Sequence, residues 1–147
     1  MTGFLEERII APVANPDDAT RTARAVDERL DPNRSKLTFV NVVEKGGGAI
    51  DKAPVEAQRE NAEDAFAVVE TELADTFEVD TVVRYGTDVV EEIIDSADEM
   101  DATAILFVPR PGGTIARFLS GNITSNLVDN DRYAVIVLPR STDGNPN

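Results

Sequence analysis

The chain contains neither cysteine nor histidine. The first absence excludes disulfides, thiolate chemistry and cysteine metal sites. The second removes the Ser-His-Asp triad, histidine general-base catalysis and most zinc or iron sites. Cations are scarce as well: 14 basic residues face 28 acidic ones, for a net charge of −14, and the lysines are only Lys36, Lys45 and Lys52. Neutralising nucleic-acid phosphates or an anionic membrane needs clustered Lys and Arg, so neither nucleic acid nor membrane insertion is expected. No apolar run is long enough to span a bilayer, and the opening Met-Thr-Gly-Phe-Leu-Glu-Glu-Arg lacks the charge and apolar core of a signal peptide. These features predict a soluble cytoplasmic protein. Its acidic excess is spread over every expected element, a self-repulsion tolerated where salt screens it, because the Debye length falls to about 3 Å at 1 M. A halophilic protein is expected, more stable in molar KCl than in dilute buffer.

What is present is organised around residues 105–125. An apolar run, Ile105 to Val108, breaks at Pro109 to Gly113 and re-enters helical spacing through Ile115, Phe118 and Leu119. Gly112 and Gly113 let backbone N–H groups approach a ligand, and the following helix N-terminus adds partial positive charge. Strand, glycine loop and helix in that order form an anion cradle; a tight turn is the plainer reading of the same glycines. Arg110 and Arg117 flank the loop, where they either favour an anion or pair with surface carboxylates.

The remaining chain alternates in the same way. Arg8 to Val13 reads as a buried strand, with Pro12 tolerated at its end. Asn15-Pro16-Asp17-Asp18 starts a helix whose apolar face is Ala19, Ala23, Val26 and Leu30, stopped at Asp31-Pro32-Asn33. Lys36 to Val43 is an almost continuously apolar second strand, as expected where both sheet faces are covered. Glu44 to Pro54 holds Gly46-Gly47-Gly48 without the Lys-Ser or Lys-Thr of a phosphate loop and reads as a connection. Ala62, Phe66, Val69, Leu73 and Phe77 line the longest helix. Val79 to Tyr85 is a third strand, Asp88 with Glu91 suggests a capping box, and Val89, Val90, Ile93, Ile94 and Ala97 face inward. A fourth strand over 102–108, a helix ending near 128–131 and a fifth strand over 133–139 complete an α/β chain of five strands and four helices, followed by a polar tail at 141–147. Parallel pairing with right-handed crossovers gives one open doubly wound sheet over 1–140. Ligands of such sheets bind beyond the carboxyl ends of the strands, here Pro12 to Asn15, Val42 to Glu44 and Val108 to Gly113.

The Ala-Pro-Val strand end at 11–13, the Phe-Val-Asn-Val-Val strand at 39–43, Tyr85-Gly86-Thr87, the loop-to-helix stretch and the closing Ala-Val-Ile-Val-Leu-Pro resemble the universal stress protein family over nearly the whole chain. The resemblance implies strand order 3-2-1-4-5 and a homodimer through the last strand, Tyr133 to Leu138. Nucleotide-binding members carry Gly, two residues, Gly, nine residues, then Gly and Ser or Thr. Anchored at Gly121, that pattern falls on Val108, Pro111, Gly121 and Asn122, so one glycine of three survives, and Pro111 has no N–H to offer a phosphate. The family's nucleotide-contacting aspartate at the first strand's end matches Ala14. Pro12, Val13, Val42 and Ile123 keep an apolar surround for an adenine, while Gly112, Gly113, Asn122 and Thr124 offer replacement donors. The resemblance thus implies a regulatory, non-enzymatic module with a degenerate site for ATP or another adenine nucleotide, bound weakly. The alternative is a slow Mg²⁺-dependent nucleotide hydrolase using carboxylates near Asp17, Asp18 or Glu44. A phosphorylated receiver is rejected because the third strand ends without an aspartate and the fifth without a lysine. A dinucleotide domain is rejected because no Gly-x-Gly-x-x-Gly follows the first strand.

Overall fold

The computed structural model describes residues 7–44, 55–108 and 126–139. Its elements alternate as β1 (Glu7–Pro12), α1 (Pro16–Arg29), β2 (Ser35–Glu44), α2 (Val55–Leu73), β3 (Glu78–Gly86), α3 (Val89–Glu99), β4 (Ala104–Phe107) and β5 (Ala134–Val137), with residues 126–128 helical ahead of β5. The strands form one sheet of order β3-β2-β1-β4-β5, and every ladder is parallel. This is the expected doubly wound topology. The Gly46–Gly48 segment, the stretch from Arg110 through Thr124 and the tail at 141–147 lie outside the described residues.

Strand alternation divides the core by sheet face. Ile9, Ala11, Val13, Leu37, Phe39, Leu106 and Val108 point to one side, where Ala19, Ala23 and Val26 of α1 and Ala62, Phe66, Val69 and Leu73 of α2 cover them. Ile10, Val40 and Ile105 point to the other, against Ile93, Ile94 and Ala97 of α3 and Leu127. α2 stops at Leu73, short of Phe77, yet Phe77 remains 4% exposed within the same cluster. The helix ends through a turn in which the Phe77 N–H reaches the Leu73 carbonyl at 2.8 Å, so the periodicity outlives the helix by one turn.

α3 ends in a Schellman motif made without glycine. The Ala102 N–H bonds the Ala97 carbonyl at 2.9 Å and the Asp101 N–H bonds that of Asp98 at 3.3 Å, while Asp101 holds φ at 56°, a left-handed conformation that glycine adopts more cheaply. At its start Asp88 accepts from the Glu91 N–H at 3.1 Å, one half of the expected box. Ion pairs tie α3 to both sheet edges. Arg84 of β3 reaches Glu92 at 3.1 Å and Glu99 at 2.8 Å; burial works to lower the Arg84 pKa, but the hydrogen bonds it donates to Glu99 and Glu92 outweigh it and hold the value above the ordinary one. Arg132, before β5, contacts Asp98 at 2.7 Å.

Candidate functional site

The carboxyl ends of the strands part company around β1. The β1–β2 ladder closes at Pro12↔Val40, with one further bond from the Val13 N–H to the Val40 carbonyl at 2.9 Å, whereas β2 and β3 stay paired to Glu44↔Gly86. On its other side β1 pairs with β4 only at Ile9↔Ala104 and Ile10↔Ile105. β1 therefore ends beside β2, which runs on past it, and has parted from β4 beyond Ile10, at the position where the chain order reverses. In an open α/β sheet this is the ligand crevice.

The sequence explains why β1 stops. Pro12 ends the strand, and Asn15 at the N-cap of α1 accepts from the Asp18 N–H at 2.9 Å. Asp18 answers by accepting from the Ala14 N–H at 3.0 Å and holding Arg21 at 2.6 Å. The carboxylate of Asp18 is wholly buried, so it serves as an anchor for the turn rather than as the open carboxylate a magnesium ion would need. Asp17 stands on the outer side of the same turn and is exposed. Among the described residues no group of three acidic side chains is arranged to hold a metal ion.

Two carboxamides close the turn from behind. Asn41 of β2 donates Nδ2 to the Val13 carbonyl at 2.9 Å and approaches the Ala14 carbonyl at 3.4 Å; Asn61 of α2 donates to the Ala14 carbonyl at 2.9 Å. The backbone at Val13 and Ala14 is thereby satisfied by the protein itself. Sequence reading singled out neither asparagine, because their contacts span 28 and 47 residues and no local pattern announces them.

The candidate residues distribute unevenly over this crevice. Pro12 is buried at the strand end and Val42 is half-buried, its side chain on the α3 face. Val13 and Val108 are 1% and 0% exposed, and their side chains point into the α1–α2 core. Ala14 is part-exposed at the turn. Gly112, Gly113, Gly121, Asn122, Ile123 and Thr124 lie outside the described residues.

An open parallel sheet with its crevice at β1 and β4 defines the class of α/β proteins that hold ligands at a topological switch point. Residues 6–139 match the model of the universal stress protein family, and the chain belongs to that family. No curated protein matches the chain. Among solved structures it is similar to the universal stress protein UspA from Lactobacillus plantarum, with TM-score 0.67 and 23% identity over 90% of this chain and 97% of that one. It is also similar to the universal stress protein from Archaeoglobus fulgidus in complex with dAMP, with TM-score 0.59 and 24% identity over 91% of this chain and 98% of the other. A further universal stress protein, solved in complex with cAMP, gives TM-score 0.57 and 19% identity over 90% of this chain and 96% of its own.

Proposed function

We propose that this chain is a non-enzymatic stress-response module whose strand-end crevice takes an adenine nucleotide, or a similar anionic ligand, with low affinity. The observation that carries the reading is the β1 end itself: a crevice stands at the switch point, yet alanine occupies position 14 and the backbone there is already bonded to Asn41, Asn61 and Asp18. A nucleotide reaching it finds the half-buried Val42 but no carboxylate from residue 14. Complexes of related proteins with dAMP and cAMP support adenine nucleotides as the ligand class. For the phosphates the sequence offers Gly112, Gly113, Gly121, Asn122 and Thr124 as donors, and Ile123 as apolar surround for the base. The test is calorimetric titration in molar KCl with ATP, ADP and AMP, with and without Mg²⁺. Dissociation constants above about 100 µM, or about −5.5 kcal/mol, are expected; micromolar binding contradicts a degenerate site, and turnover of ATP contradicts a non-enzymatic one.

The module acts as a homodimer through β5. The four strand residues Ala134 to Val137 carry no charge and Val137 is 39% exposed, whereas the opposite edge strand, β3, carries exposed Glu78 and Asp80. Charges on an edge discourage pairing and a bare apolar edge invites it. Sedimentation is expected to give a dimer that Ile136→Lys converts to monomer. The charge of −14 suits a salty cytoplasm, where its repulsion is screened, and a stability that does not rise with KCl contradicts that setting.

A further inference from the structure

At the amino-terminal end of the sheet, opposite the crevice, a cavity of about 30 Å³ lies between β1, β2 and the end of α3. Arg8 and Lys36 stand at it, with Ile10, Thr38, Met100 and Ala102 beneath and beside them. Arg8 and Lys36 are register partners on adjacent parallel strands, so their backbones are about 5 Å apart and their side chains leave the same face. Two like charges so placed repel, and in a chain with 14 cations and 28 acids the juxtaposition calls for a counter-charge.

The protein supplies it poorly. The Arg8 Nε donates to the Asp101 carbonyl at 2.9 Å, the carbonyl that follows the left-handed φ of 56°, and this bond fixes the guanidinium over the end of α3. Among the described residues no carboxylate lies within ion-pair distance of Arg8. Glu7, the nearest acid in sequence, accepts from the Thr103 hydroxyl at 2.9 Å. Lys36 has Glu78 at 3.4 Å, but that carboxylate is 70% exposed, a pairing of little strength.

We infer that this cavity, between Arg8 and Lys36, binds a monovalent halide ion, chloride in the cell. Its volume has room for one or two water-sized species, which admits a halide. Its apolar floor of Ile10, Met100 and Ala102 suits an ion that sheds water easily, and the two cations at its rim offset part of the lost hydration. The chain's net negative charge opposes the anion at long range, so the site fills when salt screens that field and leaves the short-range pair intact.

The experiment is thermal unfolding of the full chain at constant molar potassium, exchanging gluconate, a bulky and strongly hydrated anion, for chloride or bromide. Gluconate is the more strongly stabilising co-solute, so without a site the exchange lowers Tm. With the site, Tm rises saturably, by about 3–6 °C once the halide exceeds its dissociation constant roughly tenfold, and Arg8→Gln and Lys36→Gln each abolish the rise. Crystals soaked in bromide carry an anomalous peak between the two side chains. A monotonic fall in Tm shared by all three proteins overturns the inference, and so does a bromide-soaked crystal with no peak there. Neither result bears on the nucleotide crevice at the other end of the strands.

Discussion

Removing the amide of Asn41 tests whether the β1 end is held from behind. Asn41 is 4% exposed and its Nδ2 serves the buried Val13 carbonyl at 2.9 Å. Alanine there strands that carbonyl and leaves a small void, for a cost of about 2 kcal/mol. Asn61→Ala removes a bond of the same length, 2.9 Å, but at a part-buried acceptor that Asn41 already approaches at 3.4 Å. Its loss of about 1 kcal/mol is further offset by about 0.5 kcal/mol from alanine's helix propensity over asparagine within α2. The single variants should therefore differ roughly fourfold in cost, near 2 and 0.5 kcal/mol. Because the two amides share the Ala14 carbonyl, each covers for the other, and the double variant should lose about 0.5–1 kcal/mol more than the sum. Urea unfolding at fixed KCl, with m-values checked for constancy, reads all four corners of the cycle. Additivity within about 0.3 kcal/mol, or an Asn61→Ala cost that matches or exceeds that of Asn41→Ala, refutes the shared clamp.

Three further outcomes follow from single residues. Asp101→Gly relieves the left-handed φ of 56° and removes an anion from the carboxyl end of α3, where the helix dipole disfavours it, so stability should rise by about 1 kcal/mol and Tm by about 2–4 °C; an unchanged or lower Tm contradicts the motif. Thr22 is fully buried in α1 and its hydroxyl has no hydrogen-bond partner among the described residues, so Thr22→Val should stabilise by about 1 kcal/mol in urea, whereas a loss would reveal a partner for the hydroxyl. The Tyr133 hydroxyl donates to Asp98. That bond first, then Arg132, holds the Asp98 pKa below the ordinary carboxylate range, and the same bond first, with burial, raises that of Tyr133 above 10.0. The depressed Asp98 contributes stability above its unfolded pKa that is lost as pH falls through the folded one. The raised Tyr133 contributes stability below its unfolded pKa that is lost as pH climbs through the folded value above 10.0. Tyr133→Phe should flatten the alkaline limb of a stability–pH curve and weaken the acid one; superimposable curves would exclude the coupling.

The sheet was legible because hydrophobic periodicity switches cleanly between two and 3.6 along the chain. Buried strands such as Lys36 to Val43 and the inward faces of α1, α2 and α3 needed no tertiary information. Strand order came from family resemblance rather than from pattern, since every β-α-β unit satisfies the handedness rule whichever neighbour it selects. The site was legible only as a place. Asp18 could be read as helix-start chemistry, but that it turns back to the Ala14 N–H while Asn15 takes the cap emerges only from the folded turn. Val13 was expected beside an adenine and Val108 at the first glycine of the phosphate pattern; strand alternation sends both side chains to the α1–α2 core. Asn41 and Asn61 are invisible locally, because an asparagine in a strand and another in a helix become partners only when the sheet and α2 bring Ala14 between them. Asp101 likewise hides its role, since the expected glycine of a helix end is absent.

In the proposed reading the family fold is retained with a weakened nucleotide crevice, and alanine at position 14 is the most direct symptom. Calorimetric titration of ATP into wild type and Ala14→Asp, side by side in molar KCl, tests it. A restored carboxylate that hydrogen-bonds the nucleotide should tighten binding by about tenfold or more, from about 1.5 kcal/mol of charge-assisted hydrogen bonding. Equal affinity in the two proteins, or tight binding by wild type, would contradict the account.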